Sequence, residues 1–186
     1  MILLITGLLL WVIVHLTPSV GKNTRAAIIE KIGLGPYKGV FTLLILSSIV
    51  LIVLGWRSII PEQIYDPPAW GRYITFTLVL LTFILFVAAN TKTNIKRILR
   101  HPQLTGLVLW SVGHLFANGE NRSLILFITL SIWAALEMVA INKREGTWNK
   151  PAPAPVKSDM ITVVIGCVLY AVLIFAHPYI TGIKLV

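Results

Sequence analysis

KGVFTLLILSSIVLIVLGW, residues 38–56, decides the fold. Apart from Lys38 at its edge, the run carries no charged side chain. At 1.5 Å per residue, a helix of this length covers a hydrocarbon core of about 30 Å. Comparable apolar runs lie outward from it, at about 1–20, 71–90, 103–118, 123–141 and 159–180. Composition agrees: 56% of the 186 residues are hydrophobic and 12% are charged, whereas soluble domains carry about a quarter charged residues. The expected fold is all-α, a polytopic membrane protein built as a bundle of six transmembrane helices. It forms a single transmembrane domain over 1–186, with no internal repeat and no soluble domain attached. PAPAP at 151–155 is a stiff linker on the polar side. The first run lacks a basic leading segment and is too long for the apolar part of a signal peptide, so it is expected to be a retained helix.

Charge sets the expected orientation. Of the 16 Lys and Arg residues, all but Arg57, Arg72, Arg122 and Lys184 fall in loops 21–37, 91–102 and 142–158 or on Lys38. Positive charge collects on the cytoplasmic side, so both termini are expected to face away from the cytoplasm. The net charge of +9 follows from this topology and from attraction to anionic lipid; no nucleic acid partner is expected. Within loop 21–37, Asn23 or Thr24 is a candidate cap for a short interfacial amphipathic helix that Gly33 and Gly35 would stop.

Two histidines lie inside apolar runs, His15 in the first and His114 in RHPQLTGLVLWSVGHLFANG, residues 100–119. Lipid tails offer an imidazole no partner, so such residues usually bind something or bond a neighbouring helix. Here Ser47, Ser131 or a backbone carbonyl could serve as that partner. Zinc or calcium would want further cysteines or carboxylates, but the chain has one cysteine, Cys167 in the last run, and one acid within a span, Glu137. Glu137 is expected to snorkel or to pair with Lys143 or Arg144. Haem suits the histidines better, because it takes axial imidazoles and fills an apolar cleft between helices. His15 and His114 are therefore the candidate metal ligands. Counted along the helices, they lie about 7 and 18 Å from the cytoplasmic boundary. Each side chain leans toward its own helix N-terminus, which narrows that difference and leaves a shared site open.

Haem propionates would then meet cytoplasmic cations, with Arg100 and Arg25 the first candidates. His101 is a possible further site. It precedes Pro102, which biases it to an extended or turn conformation, and it stands among Lys92, Lys96, Arg97 and Arg100. That mouth suits carboxylates or phosphates, although ordinary positive-inside charge explains it equally well. His177, also before a proline, reads as an interfacial aromatic.

Three features carry a resemblance over nearly the whole chain: the intramembrane His15, GPYKGVFTLLILSSIVLIVLGWR at 35–57 and, above all, RHPQLTGLVLWSVGHLFANGENRSLILF at 100–127. With them the chain resembles the NnrU family of integral membrane proteins, named for a link to nitrite and nitric oxide metabolism. It is also similar to 15-cis-zeta-carotene isomerase, an NnrU-like membrane enzyme that uses haem b to isomerise a polyene. The resemblance implies haem b ligated by His15 and His114, with His101 matching a further histidine. It implies either cis–trans isomerisation of a lipophilic polyene or a redox or nitrogen-oxide-linked accessory role. The isomerase carries a cysteine three residues before its second ligand; here that position is Ser111, a departure from the pattern that thiol-dependent ligand switching and the isomerase activity rest on.

A second resemblance competes. Arg100-His101-Pro102 with Gly106 is similar to the start of the S-adenosylmethionine site of membrane methyltransferases. Leu104 replaces the tyrosine of that pattern, and the paired glutamates that follow it there have no match, since Glu137 and Glu145 are isolated. A cofactor-free structural protein, whose histidines only bond neighbouring helices, is the third alternative.

Overall fold

The computed structural model of the chain describes residues 1–183 and 185; Lys184, counted above with the sparsely charged face, lies outside the described residues. The described residues form α1 (Ile2–Val20), α2 (Lys22–Ile32), α3 (Leu34–Ser58), α4 (Gly71–Asn90), α5 (Pro102–Leu115), α6 (Asn121–Glu145) and α7 (Val156–Thr181), with a 3-10 turn at Asn94–Arg97. No strand occurs among them; one isolated antiparallel bridge joins Gln63 to Glu120.

The helices α1, α3, α4, α6 and α7 are long and apolar enough to cross a membrane. The fourth expected span is shorter than the sequence suggested: α5 has 14 residues, about 21 Å of helix. Its last residues turn instead of continuing, with the amide of Phe116 bonded to the Gly113 carbonyl at 3.0 Å and that of Ala117 to the His114 carbonyl at 3.1 Å. Five full-length crossings are therefore present. Outward faces are apolar, with Leu43, Leu46 and Val50 of α3 and Val164, Val168 and Phe175 of α7 exposed. In water such faces would aggregate. In a bilayer they meet a solvent as apolar as themselves, and the helices satisfy their backbone groups internally apart from their ends and the turns before Pro18 and Pro178. The chain is an integral membrane protein.

The helices divide into two compact units. The first comprises Met1–Pro67 and Asn118–Thr147 and contains α1, α2, α3 and α6. Its helices meet through small residues, as they must where no hydrophobic effect drives association. A Cβ on Gly7 would lie 2.7 Å from the Ile52 amide nitrogen, and one on Gly55 would overlap the Leu4 backbone. Leu4, Leu8, Phe127, Trp133 and Ala134 fill the interior. At one end the 59–67 segment clips to the start of α6, where the Ile64 amide bonds the Gly119 carbonyl and the Asn121 amide bonds the Glu62 carbonyl, each at 2.9 Å. A Cβ on Gly119 would strike the Tyr65 carbonyl, and the Tyr65 hydroxyl donates to the Asn118 carbonyl at 3.1 Å. The Asn118–Gly119 pair of the 100–127 block is thus a backbone-pairing device. Tyr65 itself ionises above its ordinary pKa, because burial and then the nearby Glu120 carboxylate disfavour the phenolate.

The second unit comprises Pro68–Ala117 and Trp148–Val186 and contains α4, α5 and α7. Two threonines one heptad apart on α4 tie it to α5. Thr75 Oγ1 lies 2.7 Å from the Gly113 carbonyl, and Thr82 Oγ1 lies 2.9 Å from the Gly106 carbonyl. Each hydroxyl also faces a carbonyl of its own helix. Gly166 lets α7 approach α4, where a Cβ would lie 2.7 Å from Ile84 Cα. A polar clasp fixes the basic end: Asp159 accepts from Thr93 Oγ1 at 2.5 Å and from the Asn94 amide at 2.7 Å, and the Asn94 side chain reaches both Asp159 and Ala154.

The interfacial helix expected in 21–37 is α2, but its cap differs. Gly21 precedes it, without a side-chain cap, in place of Asn23 or Thr24. Gly33 ends it with φ at +87°, a left-handed conformation that glycine adopts without steric cost.

Candidate functional site

Helix periodicity explains where each intramembrane histidine sits. His15 follows Trp11 by four residues and His114 follows Trp110 by four, so in each case imidazole and indole share one helix face. His15 Nδ1 lies 3.0 Å from the Trp11 carbonyl, and its ring stacks on that indole with centroids 4.1 Å apart. His114 repeats the arrangement, with Nδ1 2.8 Å from the Trp110 carbonyl and ring centroids 4.7 Å apart. A carbonyl can only accept, so Nδ1 carries the proton and the lone pair resides on Nε2. Metal-ligating histidines ordinarily show this arrangement, the other ring N–H being donated to a fixed acceptor. The partner is the helix's own carbonyl, not Ser47 or Ser131.

In the first unit, rings from two further helices close round His15. Trp133 of α6 lies edge-on at 5.0 Å and Phe41 of α3 at 5.9 Å, with Trp11 against Trp133 at 5.5 Å. The indole N–H groups of Trp11 and Trp133 are buried and have no hydrogen-bond partner among the described residues. One turn further along both helices, Ser19 of α1 donates to the carboxylate of Glu137 of α6. Glu137 is 7% exposed, so it does not snorkel. It is not ion-paired to Lys143 or Arg144; Arg144 instead bonds the same Ser19 hydroxyl and the Pro18 carbonyl, each at 3.2 Å. The second Glu137 oxygen is buried without a partner. Beyond this pair the unit opens into a cavity of about 760 Å³ lined by Pro18, Lys22, Arg25, Tyr37, Lys38, Phe41, Thr42 and Arg144. Arg25, a sequence candidate for carboxylate binding, lies in its wall.

In the second unit, α5 is small around His114. Ser111 and Gly113 are buried, and the Ser111 hydroxyl has no hydrogen-bond partner among the described residues. Arg100 and His101 lie at the α5 N-terminus, with His101 preceding Pro102 in the first helical turn. Gly106, the glycine of the methyltransferase-like pattern, packs on the Phe86 ring and the Thr82 carbonyl. Helix contact accounts for it. His177 bonds the Ile183 carbonyl at 3.0 Å and Thr181 Oγ1 at 3.1 Å near the end of α7.

The donor sets decide which groups these residues fit. Among the described residues no three His, Cys, Asp or Glu side chains gather, so the chain offers single imidazoles in apolar, aromatic settings. Haem needs only axial donors, since the porphyrin supplies the other four, and the single imidazoles fit it. Sequence reasoning missed the tryptophan four residues before each histidine, although the spacing is visible in the chain. It also missed the Ser19–Glu137 pair, which only packing reveals.

No curated protein and no solved structure matches the chain. The description NnrU protein matches residues 3–185, nearly the whole length, and the chain belongs to the NnrU family.

Proposed function

We propose that this NnrU protein binds haem b in the membrane through His15 and His114, with Arg100 as a carboxylate partner. The observation that carries the reading is the shared tryptophan–histidine clamp, which holds each Nδ1–H on a helix carbonyl and leaves Nε2 as the basic nitrogen. The unpartnered indole N–H groups of Trp11 and Trp133 beside His15 add to it, since a buried donor without an acceptor costs about 1–3 kcal/mol. The bound haem would supply a one-electron redox centre beside a lipophilic substrate. The protein's residues hold the imidazoles in one tautomer, exclude water and surround the site with rings.

The reaction we assign, by resemblance, is cis–trans isomerisation of a lipophilic polyene. Ser111 favours a second reading, a redox accessory role linked to nitrogen oxides without turnover. A buried hydroxyl there cannot do what a thiolate ligand does. In both readings the protein crosses a bacterial inner membrane six times, with α5 as the short crossing and both termini outside. The eleven cations of the three basic loops, with Lys38 at the edge of the first, support that orientation.

The test is haem content in His15→Ala and His114→Ala, purified separately from cells supplied with haem precursor. Each variant should lose most of its haem or change its ligation spectrum. Unaltered content and spectrum in both would remove the assignment.

A further inference from the structure

The cavity at the basic end of the first unit has a chemistry of its own. Its cationic side chains come from three elements: Lys22 and Arg25 of α2, Lys38 of α3 and Arg144 of α6. Arg144 is already engaged with Pro18, Ser19 and Glu145 and serves as wall. Lys22 touches only a carbonyl oxygen, that of Arg144, at 3.3 Å, and Arg25 lies over the Tyr37 ring at 5.6 Å. Among the described residues no carboxylate comes within 4.0 Å of Lys22, Arg25 or Lys38. These are converging cations without counter-ions. The Tyr37 hydroxyl in the same wall is buried and has no hydrogen-bond partner among the described residues. An O–H donor and three uncompensated cations around one cavity ask for an anionic oxygen group.

Position decides which one. The cavity lies where α1 ends, α3 begins and α6 ends, the level at which apolar helices meet lipid headgroups. Next to it, Phe41 contributes an apolar wall, and Val40, Leu43 and Leu44 of α3 are 53%, 65% and 38% exposed. A free anion would make no use of that face, whereas acyl chains would lie along it. We propose that this cavity is a binding site for the phosphate headgroup of an anionic phospholipid, held by Lys22, Arg25, Lys38 and the Tyr37 hydroxyl. Arg25 is thereby assigned to lipid phosphate instead of a haem carboxylate. The site stands whether or not haem is bound.

The test uses the full chain, purified without haem supply and placed in phosphatidylcholine nanodiscs containing a minority of phosphatidylglycerol. Phosphatidylglycerol retained after washing into detergent is counted by mass spectrometry. The wild type should retain it in stoichiometric amount, in preference to phosphatidylcholine. Arg25→Ala and Lys38→Ala should each weaken retention about fivefold, the effect of one cation at an anionic surface. Tyr37→Phe should weaken it less. Arg25→Lys should retain most of it, and Lys31→Ala, an exposed cation of α2 outside the cavity, should match the wild type. Equal retention of both lipids by the wild type would overturn the proposal, and that result does not depend on any variant folding. A loss in Lys31→Ala as large as in Arg25→Ala would overturn it too, since a diffuse surface field would then suffice. Repeating the count with haem supplied separates the two anion sources. Unchanged retention supports the lipid, and displacement of phosphatidylglycerol by haem would give the cavity to propionates instead.

Discussion

In the first unit His15 is enclosed by rings from α1, α3 and α6; in the second His114 stacks on Trp110 within a helix thinned by Ser111 and Gly113. The local clamp is the same, because a four-residue spacing and a helix carbonyl are enough to make it. The surroundings differ because the units are assembled differently. The first packs bulky side chains against close-approach glycines and carries a buried carboxylate, Glu137, one turn from its histidine. The second uses a close-approach glycine too, Gly166 between α7 and α4, but ties α4 to α5 through threonine hydroxyls and glycine carbonyls. Helix periodicity therefore fixes a histidine's tautomer, and tertiary packing fixes what can approach its other nitrogen.

The comparison can be broken at its glycines first. Gly55→Ala should cost the first unit about 3 kcal/mol, because the added Cβ falls on the Leu4 backbone. Gly113→Ala, whose Cβ would meet Leu78 Cβ at 3.2 Å, should be much milder. Thermal unfolding in detergent, followed by circular dichroism, would rank them, and equal midpoints would contradict the difference drawn between the units. Next, Ser19→Ala strips the Glu137 carboxylate of its hydrogen-bond donor. A loss of about 3 kcal/mol is expected, with recovery in the Ser19→Ala/Glu137→Leu double variant; no recovery would show that Glu137 is not the reason.

In the second unit Asn94→Ala removes the link between Asp159 and Ala154 and should cost about 2 kcal/mol. Hydrogen exchange should then quicken at the N-terminus of α7 and stay unchanged in α1; quickening in α1 would show that the clasp is not local. The smallest effect is expected from Trp133→Phe, below about 1 kcal/mol, because losing an unpartnered buried N–H relieves about 1–3 kcal/mol and offsets the packing lost with the larger ring. A loss above about 3 kcal/mol in denaturant titration would mean that the lost ring packing outweighs that relief.

Much of this was readable in the chain. Apolar runs located the five long helices because hydropathy reports the hydrocarbon core directly. They did not mark the helix ends: α3 begins at Leu34 and α6 continues to Glu145, since a helix goes on into the headgroup layer once polar residues replace apolar ones. The early turn of α5 was hidden because Phe116 and Ala117 remain apolar while leaving the helix. Single histidines drew notice by their rarity in lipid. The Glu137–Ser19 pair escaped because its partners are 118 residues apart, and the cation cavity because Lys22, Lys38 and Arg144 come from three separate elements.

The most direct test of the central claim is the visible spectrum of detergent-purified wild-type protein, oxidised and then reduced with dithionite, from cells supplied with haem precursor. The account predicts a Soret band with sharp reduced α and β bands in stoichiometric amount, the signature of haem b held by two imidazoles. A featureless visible region in folded, fully supplied protein would contradict it.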